Sequence, residues 1–240
     1  MVNWNIIRGI ILQMTHKIID PIACRLVKLG VTPIFVTATG FFFNFIAAVI
    51  LIYGAINGER GNYSYVGWAG LVILFAGLFD MLDGQVARTG KITSKFYALF
   101  DSVIDRYSEL IILFSICYYL IFQGYLLSSL FGFIALIGSM MVSYTRARAE
   151  GLGIECTVGF MQRPERVVLI SAGAILCGVF YYFAGDYNLC VTWLSVPIPI
   201  IILVIPLVIV AIFSNVTAIV RINHCRKVFK EKEENENLLQ

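Results

Sequence analysis

The chain has 240 residues, of which 59% are hydrophobic and only 14% charged, with a mean hydropathy of +0.84. Soluble domains carry about 45 to 50% apolar and about 25% charged residues, so these proportions exclude a water-soluble globule, a disordered chain and a strongly basic nucleic-acid binder. The net charge is +3, and the six cysteines are scattered without a Cys-x-x-Cys pair, which excludes a disulfide scaffold and offers no metal spacing.

From Trp4 to Leu29 the charged residues Arg8, Lys17, Asp20, Arg25 and Lys28 are mixed into an apolar background without a small-residue cleavage pattern, which argues against a cleavable signal. Ile6, Ile7, Ile10, Ile11, Met14 and Ile18 recur at helical spacing, with Arg8 and Lys17 off that stripe. An amphipathic helix lying in the membrane interface is expected, broken or bent at Pro21; a short soluble packing helix is the alternative. Six apolar segments follow, about Ile34 to Tyr53, Val66 to Leu82, Phe96 to Phe122, Tyr125 to Tyr144, Val167 to Phe183 and Val196 to Val220. Each is expected to be a transmembrane helix, because a chain in lipid must satisfy its backbone hydrogen bonds internally and a barrel would alternate in strands of about 10 residues.

The reading is therefore an all-α integral membrane protein: an interfacial helix over residues 1–30, a six-helix domain over 31–225 and a charged tail over 226–240, expected to be solvated and partly disordered. An even number of spans places both termini on one side, and nearly all the basic residues fall there, Arg60 alone lying opposite. That asymmetry predicts cytoplasmic termini. On the outer side, Asn62-Tyr63-Ser64 is a glycosylation sequon to which no role is assigned, and the stretch from Gly185 to Ser195, with Tyr187 and Trp193, is expected at the interface as an aromatic anchor.

The few acids are the anomaly. Asp80, Asp83, Asp101 and Asp105 fall at the cytoplasmic ends of the second and third spans, where burying carboxylates without cations is costly. The i,i+3 and i,i+4 spacings put each pair on one helix face, and a short loop from Thr89 to Lys95 suggests antiparallel neighbours whose acidic faces converge. An all-carboxylate set suits hard divalent ions, Mg²⁺ or Mn²⁺, with two ions expected and phosphate oxygens of a substrate completing them; zinc is disfavoured. Pairing of the acids with Arg88, Lys91, Lys95 and Arg106 in a structural network is the bland alternative. Gly84 and Ala87 speak against it, since they clear space beside the carboxylates. A cation transporter or channel also uses intramembrane carboxylates, but here the acids stay at one face and mark no exit path.

These residues read Asp80-x-x-Asp83-Gly84-x-x-Ala87-Arg88, eight residues, then Tyr97-x-x-x-Asp101-x-x-x-Asp105, which closely resembles the signature of the CDP-alcohol phosphotransferase family. Tyr97 departs from it, standing where the family has glycine. The resemblance implies transfer of a phosphatidyl group from a CDP-linked lipid to an alcohol with release of CMP, by a homodimer whose site opens to the cytoplasm. It implies metal ligation by Asp80, Asp83, Asp101 and Asp105, with Asp105 also the general base. It implies a nucleotide site of Thr32, Pro33, Asp80, Gly84, Ala87 and Arg88.

A second set of residues bears on the alcohol. Arg146-Ala147-Arg148-Ala149-Glu150 closes the fourth span, Gln162-Arg163-Pro164-Glu165-Arg166 opens the fifth, and Arg221 lies near the inner end of the sixth. Pro164 suits a first helical turn, where Arg163 and Arg166 favour a phosphate. A positive-inside cluster holding anionic headgroups is the alternative. These runs look like the phosphatidylinositol phosphate synthase branch, which implies that Arg146, Arg166 and Arg221, with Arg163 in a lesser role, hold the phosphate of inositol phosphate and that the donor is CDP-diacylglycerol. Glycerol 3-phosphate would need a similar clamp, and serine or free inositol would not.

Overall fold

The computed structural model describes residues 19–92, 94–184, 190–191 and 196–238. Within them the chain is helical almost throughout: α1 over residues 19–28, α2 Pro33–Asn57, α3 Ser64–Thr89, α4 Lys95–Phe122, α5 Leu126–Gly151, α6 Arg163–Ala184 and α7 Ile198–Leu238. Two-residue strands β1 (Cys190–Val191) and β2 (Val196–Pro197) pair antiparallel before α7. The amphipathic stripe at Ile6 to Ile18, and Tyr187 and Trp193, lie outside the described residues. Pro21 lies inside α1, which runs unbroken across it.

Local chemistry explains the ends. At α1 the Val31 N–H reaches back to the Leu26 carbonyl across Gly30, whose φ is 75°. The same closing motif ends α4 at Gly124 and α5 at Gly153, while α3 closes through Lys91 at φ 52°. Thr32 then caps α2 by accepting from the Phe35 N–H, with Pro33 in the first turn. Asn62 of the sequon serves a similar local end, its side chain accepting from the Ser64 N–H at 3.1 Å while its carbonyl accepts from the Tyr119 hydroxyl.

The long helices form a closed ring. α2 packs on α3, α3 on α6, α6 on α7, α7 on α5, α5 on α4, and α4 returns to α2. The expectation that α3 and α4 are packed neighbours is thus corrected: α2 packs against both and intervenes, its Gly40 and Gly54 admitting α3 closely at Phe79 and Tyr65. Leu51, Ile73, Leu113, Ile116, Ile170, Leu203 and Leu207, from five of the six ring helices and all under 5% exposed, fill the interior. α1 rests outside, with Ala23, Leu26 and Val27 against Val36, Phe79 and Val86.

Lipid offers no apolar driving force between helices, so close packing must hold the ring. The tightest approach is Gly67 of α3 against Gly178 of α6: a Cβ on Gly178 would stand 2.4 Å from the Gly67 Cα. Gly178→Val should therefore push α3 from α6 and cost about 1–3 kcal/mol or more, read as a lowered midpoint of thermal unfolding in detergent.

Outward-facing Leu127, Tyr182, Phe183 and many other large apolar residues are exposed. Five helices, α2, α3, α5, α6 and α7, are long and apolar enough to cross a membrane. α4 is 28 residues long but carries Asp101, Asp105, Arg106 and Glu109. The protein is an all-α, multi-pass membrane protein. At 41 residues α7 extends about 60 Å, twice the hydrocarbon thickness. Its charged end, expected to be partly disordered, is instead helical to Leu238, continuing an anchored helix and supported by a Lys230–Glu234 pair at i,i+4.

Candidate active site

At one end of the ring, the last turns of α3 and α5 and the first turns of α4 and α6 surround a cavity of about 620 Å³. Asp101 and Asp105 face it from α4, Gly84 and Ala87 from α3, Arg146 from α5, Arg163 and Arg166 from α6, and Arg221 from α7. Gly84 does what its lack of a side chain allows: a Cβ there would meet nothing within 4 Å, so the wall beside the acids is open.

The four expected acids lie at the same end of the ring, those of α3 within electrostatic reach of those of α4. Of the four, only Asp101 and Asp105 line the cavity, and among the described residues no three of them are grouped closely enough to hold one metal ion. Asp83 is buried and accepts from the Thr37 hydroxyl of α2 at 2.7 Å. Asp80 and Asp105 are bridged by Arg163, whose two terminal nitrogens approach them at 3.0 and 2.8 Å. The bridging cation is thus an arginine that the sequence assigns to the acceptor. Arg88 and Arg106, the alternative partners, turn to Gln85 and to Ser102.

The two α6 arginines differ in how firmly they are held. Arg166 is 1% exposed and all three of its nitrogens are bonded: Nε and one terminal nitrogen to Glu109 at 2.5 and 2.9 Å, the other to the Met161 carbonyl at 3.0 Å. Arg163 keeps its Nε without a hydrogen-bond partner among the described residues. Arg221 donates to the carbonyls of Val158 and Val142, and Arg146 pairs with Glu150 on the partly exposed rim at 2.8 Å. All four arginines reach one cavity, each with a protein partner already in place.

Thr32, Pro33 and Arg88 do not line the cavity: the first caps α2, the second is buried in its first turn, and the third is exposed at the end of α3. Tyr97 does line it and lies beside Thr37 and Asp83. Two functional neighbours escaped the sequence reading. Glu109 continues the Asp101, Asp105 series by one more step of four, and Thr37 lies one turn after Pro33 on α2. Those spacings were the available signals.

Residues 30–201 match the CDP-alcohol phosphatidyltransferase family, and the chain belongs to that family. Among its relatives, an archaetidylinositol phosphate synthase of Methanothermobacter thermautotrophicus is 37% identical over 160 residues, 67% of this chain and 73% of that one. A phosphatidylinositol phosphate synthase of Mycobacteroides abscessus is 32% identical over 166 residues, 68% and 71% of the two chains. The crystal structure of Mycobacterium tuberculosis phosphatidylinositol phosphate synthase with CDP-DAG bound superposes with a TM-score of 0.64 at 28% identity, covering 87% of this chain and 94% of that one. The same enzyme in complex with manganese and citrate gives a TM-score of 0.61 at 28% identity, covering 86% and 88%. The protein is an enzyme of the CDP-alcohol phosphotransferase class.

Proposed function

We propose that the protein transfers the phosphatidyl group of CDP-diacylglycerol to myo-inositol 1-phosphate, giving phosphatidylinositol phosphate and CMP. The observation that carries this reading is one cavity that Asp101, Asp105 and Glu109 line from α4 and that Arg146, Arg163, Arg166 and Arg221 line from α5, α6 and α7. The acids suit a metal-bound pyrophosphate, the arginines an acceptor that brings its own phosphate. The inositol phosphate synthases among the relatives support the choice of acceptor.

Asp80, Asp83, Asp101 and Asp105 would hold the divalent cations, Mg²⁺ or Mn²⁺ and two in number. The donor set is wholly oxygen, and the Arg163 guanidinium between Asp80 and Asp105 supports a place for positive charge at two of the four. When bound, such ions neutralise the pyrophosphate and stabilise charge on the departing CMP. Asp105, facing the cavity, takes the proton of the attacking hydroxyl. Thr37 orients Asp83 through its hydrogen bond. Gly84 and Ala87, which line the cavity, leave room for the cytidine nucleotide. Arg146, Arg163, Arg166 and Arg221 supply the positive wall for the acceptor phosphate. In the membrane α4 makes the sixth crossing, the site opens to the cytoplasm with both termini on that side, and the enzyme works as a homodimer.

A cation conduit is disfavoured by the interior behind the acids, which is closed by Ile73, Ile112, Leu113 and Ile116. The purified protein, given Mg²⁺ and labelled CDP-diacylglycerol, should release CMP in proportion to added inositol phosphate. Release that follows glycerol 3-phosphate or serine and ignores inositol phosphate would overturn the acceptor assignment. Chelation with EDTA should abolish release, and either Mg²⁺ or Mn²⁺ should restore it.

A further inference from the structure

A second cavity, of about 720 Å³, lies between the ends of α5 and α7 at the same end of the ring as the active site. Its walls are apolar, built by Met141 and Tyr144 of α5, Leu152 just beyond it, and Ile222 and Phe229 of α7. All five side chains are at least 37% exposed, forming a contiguous apolar surface that nothing in the chain's described residues covers. Its rim is cationic: Arg148, Arg226 and Lys230 against the single acid Glu233. Lys230 pairs with Glu234 at 3.6 Å, whereas the guanidinium groups of Arg148 and Arg226 make no ion pair or hydrogen bond among the described residues. Alternation along α5 separates this cleft from the reaction site. Arg146 lines the active cavity while Arg148 lines the cleft, and on α7 Arg221 lines the first and Ile222 the second.

We propose that this cleft binds an anionic phospholipid of the surrounding membrane, distinct from either substrate, with an acyl chain along the Tyr144–Ile222 wall and its phosphate between Arg148 and Arg226. Charge complementarity selects the occupant. An apolar slot that opens toward lipid and ends at unpaired guanidinium groups matches a headgroup with net negative charge, whereas a zwitterionic headgroup brings its own cation into the same rim. The bound lipid fills the gap between α5 and α7, the helices that carry Arg146 and Arg221 into the reaction cavity.

The test is native mass spectrometry of the full-length protein released from detergent, incubated with phosphatidylglycerol or with phosphatidylcholine of the same acyl chains. Wild-type protein should retain one phosphatidylglycerol adduct per protomer with about tenfold or greater preference over phosphatidylcholine, a preference that falls as salt rises. Arg148→Gln with Arg226→Gln should erase that preference, and Arg148→Lys with Arg226→Lys should keep most of it, which separates charge recognition from misfolding. CMP release measured in neutral detergent without added anionic lipid should be unchanged in the glutamine variant. Equal retention of the two lipids, survival of the preference in the glutamine variant, displacement of the adduct by CDP-diacylglycerol at equal concentration, or closure of the cleft by a second copy of the chain would each overturn the proposal.

Discussion

Replacing Asp105 by Asn should lower CMP release by about 10² to 10⁴, the range associated with loss of a positioned general base, while the protein still folds and extracts normally from the membrane. The size of the side chain is kept, while its capacity to take a proton and its negative charge toward Arg163 and a bound cation are lost. Asp105 faces the cavity at the start of α4, and its remaining contact is to Arg163, which an amide oxygen can still accept. A variant that retained a tenth or more of wild-type turnover would remove Asp105 from the proton-transfer role. Glu150→Gln is the useful control, because Glu150 also lines the cavity but its pair with Arg146 is about half exposed and contributes little to stability.

The second large effect concerns Arg166. An arginine serving only to bind acceptor phosphate should, on removal, raise the apparent KM for the acceptor and leave the fold alone. The structure gives a different expectation. Arg166 and Glu109 form a bidentate pair inside the ring, 1% and 6% exposed, so Arg166→Met leaves the Glu109 carboxylate buried without its counterion. Breaking a buried pair from one side costs about 3–5 kcal/mol, whereas removing both charges together is far less harmful. Thermal unfolding in detergent should therefore show Arg166→Met strongly destabilised and the Glu109→Gln, Arg166→Met double variant substantially recovered. If the double variant is stable yet binds acceptor weakly, the phosphate-binding role of Arg166 stands beside its structural one. If both variants are equally unstable, Glu109 is not what Arg166 chiefly serves.

Much of this was legible in the sequence, for identifiable reasons. Hydrophobic runs long enough to span lipid mark the helices directly, and the i,i+3 and i,i+4 spacings put Asp80 with Asp83 and Asp101 with Asp105 whatever the tertiary arrangement. What the spacing could not reveal is the order of helices around the ring. A short loop between α3 and α4 implies adjacency, yet α2 packs against both and stands between them. The partners of the arginines were hidden for the same reason. Arg163 lies 83 residues from Asp80 and Arg166 lies 57 from Glu109, and only the closing of the ring brings them together. The helical tail after Arg226 was obscured by its polarity, which removes the apolar period while leaving helix propagation from α7 intact.

Arg163 has a further consequence, for biogenesis. Four carboxylates at the end of a membrane bundle would repel one another and hold the ring ends apart until cations arrived, making assembly depend on metal supply. With its own guanidinium between Asp80 and Asp105, the chain carries an internal counterion and can complete the bundle in the bilayer before any ion is acquired. On the proposed metal role, loading would then replace that single guanidinium charge by divalent cations in a site already assembled. In that respect the protein is the opposite of small metal-dependent domains, whose folding and metal binding are a single event.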